Sequence, residues 1–526
     1  MAACTRSSGP GRPHRPPSAS AVPGCRQRIA WLLRVNRRFG PGGRDLRLAG
    51  FAARLAAAGC PASAGQLSRW ETGRLPVPHH AVVAYEKVLG LPRNRLVTVV
   101  DGIYRHRTDR ASPSRLDRRI GPDDRSALTR AEDLLDQVLS DGPMSGADWD
   151  ELTVLLTTFG TVVMPGRWWG RLTQRLLSEQ LVSDGDPWRQ RSESTHRLLW
   201  LPASRPYLIG ACAAVVRDPA SQIVIEPLAV LDVVDDPAVS ALIAAQLIDP
   251  VSERTLRGAL LAGAARARNR QFSPGQLRRI GPAVLDLLTD TVWSAAVRPL
   301  AAELLGNLPP GLRAAGVARL RAAVAGHAES AVDGQPRRVT GRIVASVLSH
   351  TEAYDDGTPD DLLTRVADEM LFSANPDVRL HAAQVLGATP FRAALADACC
   401  TELRKPAVAG DPALAGALLD ALPFVAGPEH RRTVETLVTA SGLPAETAGS
   451  AAWTVAHVPG TSSDLFWAGA LRRPVCRPGL TYALGISGRH DWLTRLADDP
   501  AMPGEVRSAA RWWSNLPATV TRDARR

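Results

Sequence analysis

From about residue 127 onward, apolar residues recur at intervals of three and four, and the runs keep closing on a leucine–proline phrase. The phrase occurs at Leu198 to Pro202, Leu304 to Pro309, Val385 to Pro390, Leu418 to Pro423 and Trp512 to Pro517. Ahead of it, Trp293, Val297, Leu300 and Leu304 keep helical spacing, as do Leu414, Leu418 and Ala421, and Val506, Ala510 and Trp513. That spacing places one apolar stripe on each helix. Asp or Asn before Pro opens several segments: Asp218-Pro219, Asp236-Pro237, Asp249-Pro250, Asn375-Pro376, Asp411-Pro412 and Asp499-Pro500. The acid or amide starts a turn, and Pro suits the first helical position. Pro206 to Val216 and Ala238 to Ile248 are too short to span a bilayer and read as buried helices. No clean alternating strand pattern interrupts the series, so the predicted fold class is all-α.

The amino-terminal part carries a different pattern. Ala62 to Gly73 reads as a short helix with Leu67 and Trp70 on its apolar face and small or polar residues outside, and Gly73 stands at its carboxyl-terminal stop. Before it, Phe51 to Ala58 reads as another short helix closed by Gly59-Cys60-Pro61. Two short helices joined by a tight turn, the second with a hydrophilic face, are the layout with which proteins read a DNA groove.

On these residues, 26 to 105 resemble a lambda-repressor-like (XRE-type) helix-turn-helix domain. Leu67 to Gly73 with Pro76 and Pro78 fits best; Arg28 to Arg34 matches the first helix, Pro78 to Pro92 the fourth, and Asp101 to Arg105 the end of a fifth. The resemblance implies that Ser63 to Arg69 enters a major groove, with Ser63, Ala64, Gly65, Gln66, Ser68 and Arg69 facing outward. It makes Arg69 the base reader, since a guanidinium offers two hydrogen bonds to one guanine edge. Gln66 then pairs with an adenine edge or holds a phosphate, and Ser63 caps the helix beside a phosphate. Leu67, Trp70 and Phe51 belong to the core. The family's second helix usually opens with Ser-Gln; Arg47 and Leu48 stand there, so Arg47 can meet a phosphate but the cap is lost. Ala64 and Gly65 carry no polar side chain where the family often has long ones. Arg74 completes the expected DNA-facing set. Further on, Asn375 to Gly387 resembles one HEAT repeat, which implies an α-solenoid with a macromolecule-binding inner surface. The gaps between phrases run unevenly, from 33 to more than 100 residues, and leave a plain multi-helix bundle as the alternative.

Charge follows the same division. The chain carries +11, yet residues 1–120 hold 22 Arg plus Lys against 6 acids, or +16, which leaves −5 for the other 406. A basic segment on a mildly acidic body suits a polyanion at one end only. Lys87 and Lys405 are the only lysines, an arginine bias that points to a GC-rich bacterial genome. The expected organisation is a disordered basic tail (1–24), a DNA-binding domain (25–104), a basic linker (105–126) that touches phosphates or stays solvated, and a helical regulatory or interaction domain (127–526). In the tail, Arg6, Arg12 and Arg15 form a minor-groove arm, or the tail is an extension without a role.

Chemistry-bearing motifs are missing. Neither lysine lies in a phosphate-binding Gly-x-x-x-x-Gly-Lys loop, there is no His-Glu-x-x-His, and Gly485-Ile486-Ser487-Gly488 brings its second glycine too early for a nucleophile elbow. His79-His80 reads as a helix start that approaches a phosphate. His196, His350 and His381 have no metal-ligand spacing, the paired aspartates sit in turn-like stretches, and Cys399-Cys400 reads as a small apolar core pair. The seven scattered cysteines form no disulfide framework. The expectation is therefore a non-enzyme with no cofactor and no metal: a cytoplasmic, nucleoid-associated regulator of transcription. Its expected partners are double-stranded DNA and a second copy, with a protein or small-molecule effector on the helical domain and no membrane. The alternative is a helical interaction scaffold with a non-specific or vestigial DNA-binding module.

Overall fold

Ser63, Asp124, Ser145, Ser252, Ser273 and Ser463 each turn a side-chain oxygen back onto the first free backbone N–H groups of the helix that follows. Such caps, with the apolar stripes between them, build a chain that is all-α among its described residues. The computed structural model describes all residues except 1–23, 42–46, 107–114, 119, 122–123, 160–161, 224, 232–233, 291, 295–296, 325–334, 351–360, 374 and 525–526. The expected tail and its arginines lie outside the described residues.

Five helices come first: α1 (Cys25–Phe39), α2 (Leu48–Ala57), α3 (Ala64–Glu71), α4 (His79–Leu89) and α5 (Arg95–Arg105). α2 starts three residues before Phe51, with Arg47 at its N-cap and no side-chain cap bond. α4 covers the expected His79 to Leu89, closed by Gly90 at φ +63°, a left-handed backbone that suits glycine. α5 has no cap of its own, because Asn94 is left-handed (φ 60°) and gives no side-chain cap bond. Glu86 of α4 supplies one instead: its carboxylate accepts from the N–H groups of Asn94, Leu96 and Val97 at 2.9, 2.6 and 3.0 Å.

The next helices are α6 (Arg125–Leu139), α7 (Gly146–Thr158), α8 (Gly166–Leu181) and α9 (Gly185–Trp200), and α5 packs on α9. Here two expected linker arginines prove to be structural. Arg105 belongs to α5 and pairs with Glu193 at 2.6 Å. Arg118, expected beside a phosphate or in solvent, is drawn between Asp101 (2.9 Å) and Asp150 (2.8 Å). Arg197 bridges the same two carboxylates from the other side at 2.9 and 2.6 Å. Two acids and two guanidiniums leave this buried group neutral, and that matching offsets the cost of taking four charges out of water. Burial opposes ionisation of Asp150, but Arg118 and Arg197 hold its carboxyl well below the usual range.

α1 is fixed to a later part of the chain. Trp31 and Phe39 pack on Phe391, Arg28 pairs with Glu369 at 2.6 Å, and the Asn36 amide donates to the Ala388 carbonyl at 3.0 Å. The following helices pack mostly on near neighbours in sequence. The short helix Ala518–Asp523 returns to α8, where Asp523 pairs with Arg175 at 2.9 Å.

The leucine–proline phrases do end helices at Trp200, Asn307, Gly387 and Ser514. The phrase at Pro423 does not, because the helix Pro412–Val425 runs through it. Proline there cannot donate to the Leu419 carbonyl. The Thr454 hydroxyl lies 3.3 Å from that carbonyl and shares its one proton between it and the Ser450 carbonyl at 3.0 Å. Likewise Trp293 lies ahead of its helix, which begins at Val297. Of the Asx-Pro pairs, Asp236, Asn375 and Asp411 cap helices directly, whereas Asp218 and Asp499 close tight turns onto Ala220 and Ala501. Cys399 and Cys400 are buried among core residues, and burial pushes the Cys400 thiol up to about 11. No helix among the described residues is long and apolar enough to cross a membrane.

Candidate nucleic-acid interface

α3 is oriented from its inner side. Leu67 and Trp70 are buried, and α1 and α2 pack against the helix. Its single acid, Glu71, also points inward. Arg37 of α1 grips that carboxylate with two bonds, Nε at 2.6 Å and Nη2 at 2.7 Å, and the Tyr85 hydroxyl of α4 donates to it at 2.8 Å. Burial would lower the Arg37 pKa, but Glu71 outweighs it and raises it. The same site pushes the Tyr85 hydroxyl well above its ordinary value, through burial first and Glu71 second. Three helices thus meet on one carboxylate at the base of α3. Past its end, Gly73 turns at φ +71°, where a Cβ would press on the Arg26 carbonyl at 3.3 Å.

The outward side is polar, cationic and free of carboxylates. Ser63, exposed, caps the helix by accepting from the Gln66 N–H at 3.1 Å. Gly65 and Arg69 are exposed; Ala64, Gln66 and Ser68 are half-buried. Arg69 lies back along the helix, its Nε donating to the Gly65 carbonyl at 3.3 Å, a geometry open to its small neighbour. Arg47 at the start of α2 and Arg74 after α3 are exposed. Seven of the eight expected residues therefore flank or belong to α3, the eighth, Arg47, opens α2, and none is a core residue. His79 behaves differently. It opens α4 as expected, but burial and the nearby Arg118 push its imidazole down to about 4, so it is neutral and lies on the side of the Arg118–Asp150 group.

Arg37, Glu71 and Tyr85 escape a reading of the sequence. Their partners lie 34 and 14 residues apart on three helices, with no local period to expose them. The lone acid on an otherwise uncharged inner face is the one available signal. Among the described residues no cluster of His, Cys, Asp and Glu has the form of a metal site.

No known protein-family model matches the chain, and no curated protein matches it. Among solved structures, it is similar to the crystal structure of an engineered protein at 16% identity, covering 79% of this chain and 97% of that one, with a TM-score of 0.18. A score that low carries no inference about fold or function.

Proposed function

We propose that the protein is a sequence-specific DNA-binding regulator of transcription that sets the helix at 63–72 into a major groove. In this reading the first five helices are a helix-turn-helix domain of the lambda-repressor-like type, and the later helices, a HEAT-like solenoid or a bundle, regulate it. One observation carries the reading: α3 buries its apolar residues and its only acid, and turns outward a capped, carboxylate-free face bearing Arg69, Gln66, Ser68 and Ser63. Arg69 is the base reader, and Arg47 and Arg74 contact phosphates. A single eight-residue helix reads too few base pairs for a unique site, so the bound form is a homodimer on two half-sites. Selection of bound duplexes from a random pool by the purified chain tests this. A recurrent two-fold motif is expected, and recovery of unenriched sequence refutes it.

The half-buried Ala64 and exposed Gly65 favour a second reading, an interaction scaffold whose DNA contact is non-specific. A salt series separates the two. Specific recognition keeps a preference between sequences after salt has suppressed the phosphate contribution, whereas a scaffold loses all DNA together.

A further inference from the structure

We propose that Arg95 of α5, Arg189 of α9 and Arg392, at the start of the helix Arg392–Leu403, form a receiving site for a phosphate-bearing small molecule. Arg189 is 5% exposed, and neither its Nε nor its Nη1 has a hydrogen-bond partner. Nη1 lies 3.1 Å from Asp186 Oδ1, but without hydrogen-bond geometry. The Arg95 Nε is also buried without a hydrogen bond, 3.6 Å from Asp186 Oδ2, while its Nη2 donates to the Gly387 carbonyl at 2.8 Å. Arg392 donates to the carbonyls of Val425 and Ala426 at 3.1 and 2.7 Å.

Among the described residues, Asp186 is the one carboxylate ion-paired with Arg95 and with Arg189. The other acids in their field are engaged elsewhere or screened by solvent. Glu193 is held by Arg105, Asp184 lies against His457 at 3.3 Å, and Glu429 is 59% exposed. Three cations against one anion leave an excess of positive charge, and guanidinium N–H groups buried without acceptors are costly. The strain appears in the groups themselves. Burial lowers the pKa of Arg189 and of Arg392, and each is lowered further by Arg95.

A phosphate group carries up to two charges and several acceptor oxygens, which answers both deficits at once. Asp186 and Arg95 keep 22% and 17% of their side chains in solvent, so a small ligand has an approach. Because Arg95 belongs to the first five helices and Arg189 and Arg392 do not, the ligand would tie the two parts together. The assignment does not rest on the reading of α3.

The test is calorimetric titration of the full chain with inorganic phosphate and with pyrophosphate, at fixed ionic strength with chloride as the balancing salt. Saturable binding is expected, weakened about tenfold or more in Arg189→Gln and unchanged in Arg69→Ala. Asp186→Asn removes the competing carboxylate and should bind phosphate more tightly than the wild type. This variant also serves where Arg189→Gln fails to fold. Absence of saturable binding by the wild type overturns the site, as does equal affinity in Arg189→Gln or weaker affinity in Asp186→Asn. Displacement of bound phosphate by a short DNA duplex in both the wild type and Arg69→Ala would make the duplex backbone the source of phosphate, and would overturn the small-molecule assignment.

Discussion

Replacing Glu71 by Gln should loosen α3 while leaving its outward residues untouched. The carboxylate now accepts three donors, two from Arg37 and one from Tyr85, and both charged partners are nearly out of solvent, at 10% and 4% exposure. Glutamine keeps one acceptor oxygen but turns an NH2 group toward a donor already 2.7 Å away. It also strips the counter-charge from a buried guanidinium. Removing one member of such a pair costs about 3–5 kcal/mol. A chain of 526 residues offers no single two-state unfolding free energy, so the local opening of these helices is the quantity to measure. At ~1.4 kcal/mol per factor of ten, amides of α1 and α3 should lose at least about a hundredfold of their hydrogen-exchange protection. Amides of α8, which does not contact this carboxylate, should keep theirs. Arg37→Met combined with Glu71→Leu removes both charges and fills the space with apolar atoms, so it should recover most of the loss. Unchanged protection in Glu71→Gln refutes the reasoning, and so does a double variant less protected than the single one.

Further outcomes follow from the same geometry. Arg69→Ala should weaken binding to the selected duplex by about ten- to a hundredfold and leave random duplex nearly unaffected; equal losses on both would remove Arg69 as a base reader. Arg47→Ala and Arg74→Ala should weaken both duplexes alike and each reduce the slope of log K against log salt by about one, read by fluorescence anisotropy from 50 to 300 mM salt. Burial, with Arg105 adding to it, pushes His196 and His381 well below their ordinary values, so the folded protein binds fewer protons there than the unfolded chain. Stability at these residues is present above the unfolded value near 6.5 and is lost as pH falls below it. The thermal midpoint should therefore drop from pH 7 to pH 5, and drop less in a His196→Gln, His381→Gln variant; an identical drop in both proteins would assign the acid sensitivity elsewhere.

What the sequence made legible depends on the range of each signal. Helix faces repeat every three or four residues and caps act within three, so α4 could be bounded by Pro78 and Gly90, and Ser63 recognised as a cap, without knowledge of the fold. Pairings between distant helices have no such signature. Arg118 is 32 residues from Asp150, and Arg28 is 341 from Glu369. Beside the proline inside the helix Pro412–Val425, the Thr454 hydroxyl, 35 residues from Leu419, stands 3.3 Å from the freed carbonyl. Locally, that proline looked like every other terminator.

Charge gave the least direct signal, because one count mixed two uses. The excess of +16 over residues 1–120 suggested a surface for a polyanion. Part of it faces protein instead. Arg28 pairs with Glu369, Arg37 with Glu71, Arg95 with Asp186, Arg105 with Glu193, and Arg118 with Asp101 and Asp150. Four of the six carboxylates in that set, Glu369, Asp186, Glu193 and Asp150, belong to the part of the chain whose net charge is −5. Part of the difference in sign between the two parts is thus a set of ion pairs that hold the first five helices on the rest. Among the described residues of this segment Arg26, Arg47, Arg54, Arg69, Arg74 and Arg93 are exposed, and the proposed DNA contacts use three of them, Arg47, Arg69 and Arg74. If DNA binding depends on those three rather than on the whole excess, its salt dependence must be shallow for so basic a segment. Charge reversal at Glu369 or Glu193 should then disturb the seating of α1 and α5 far more than it changes affinity for random duplex.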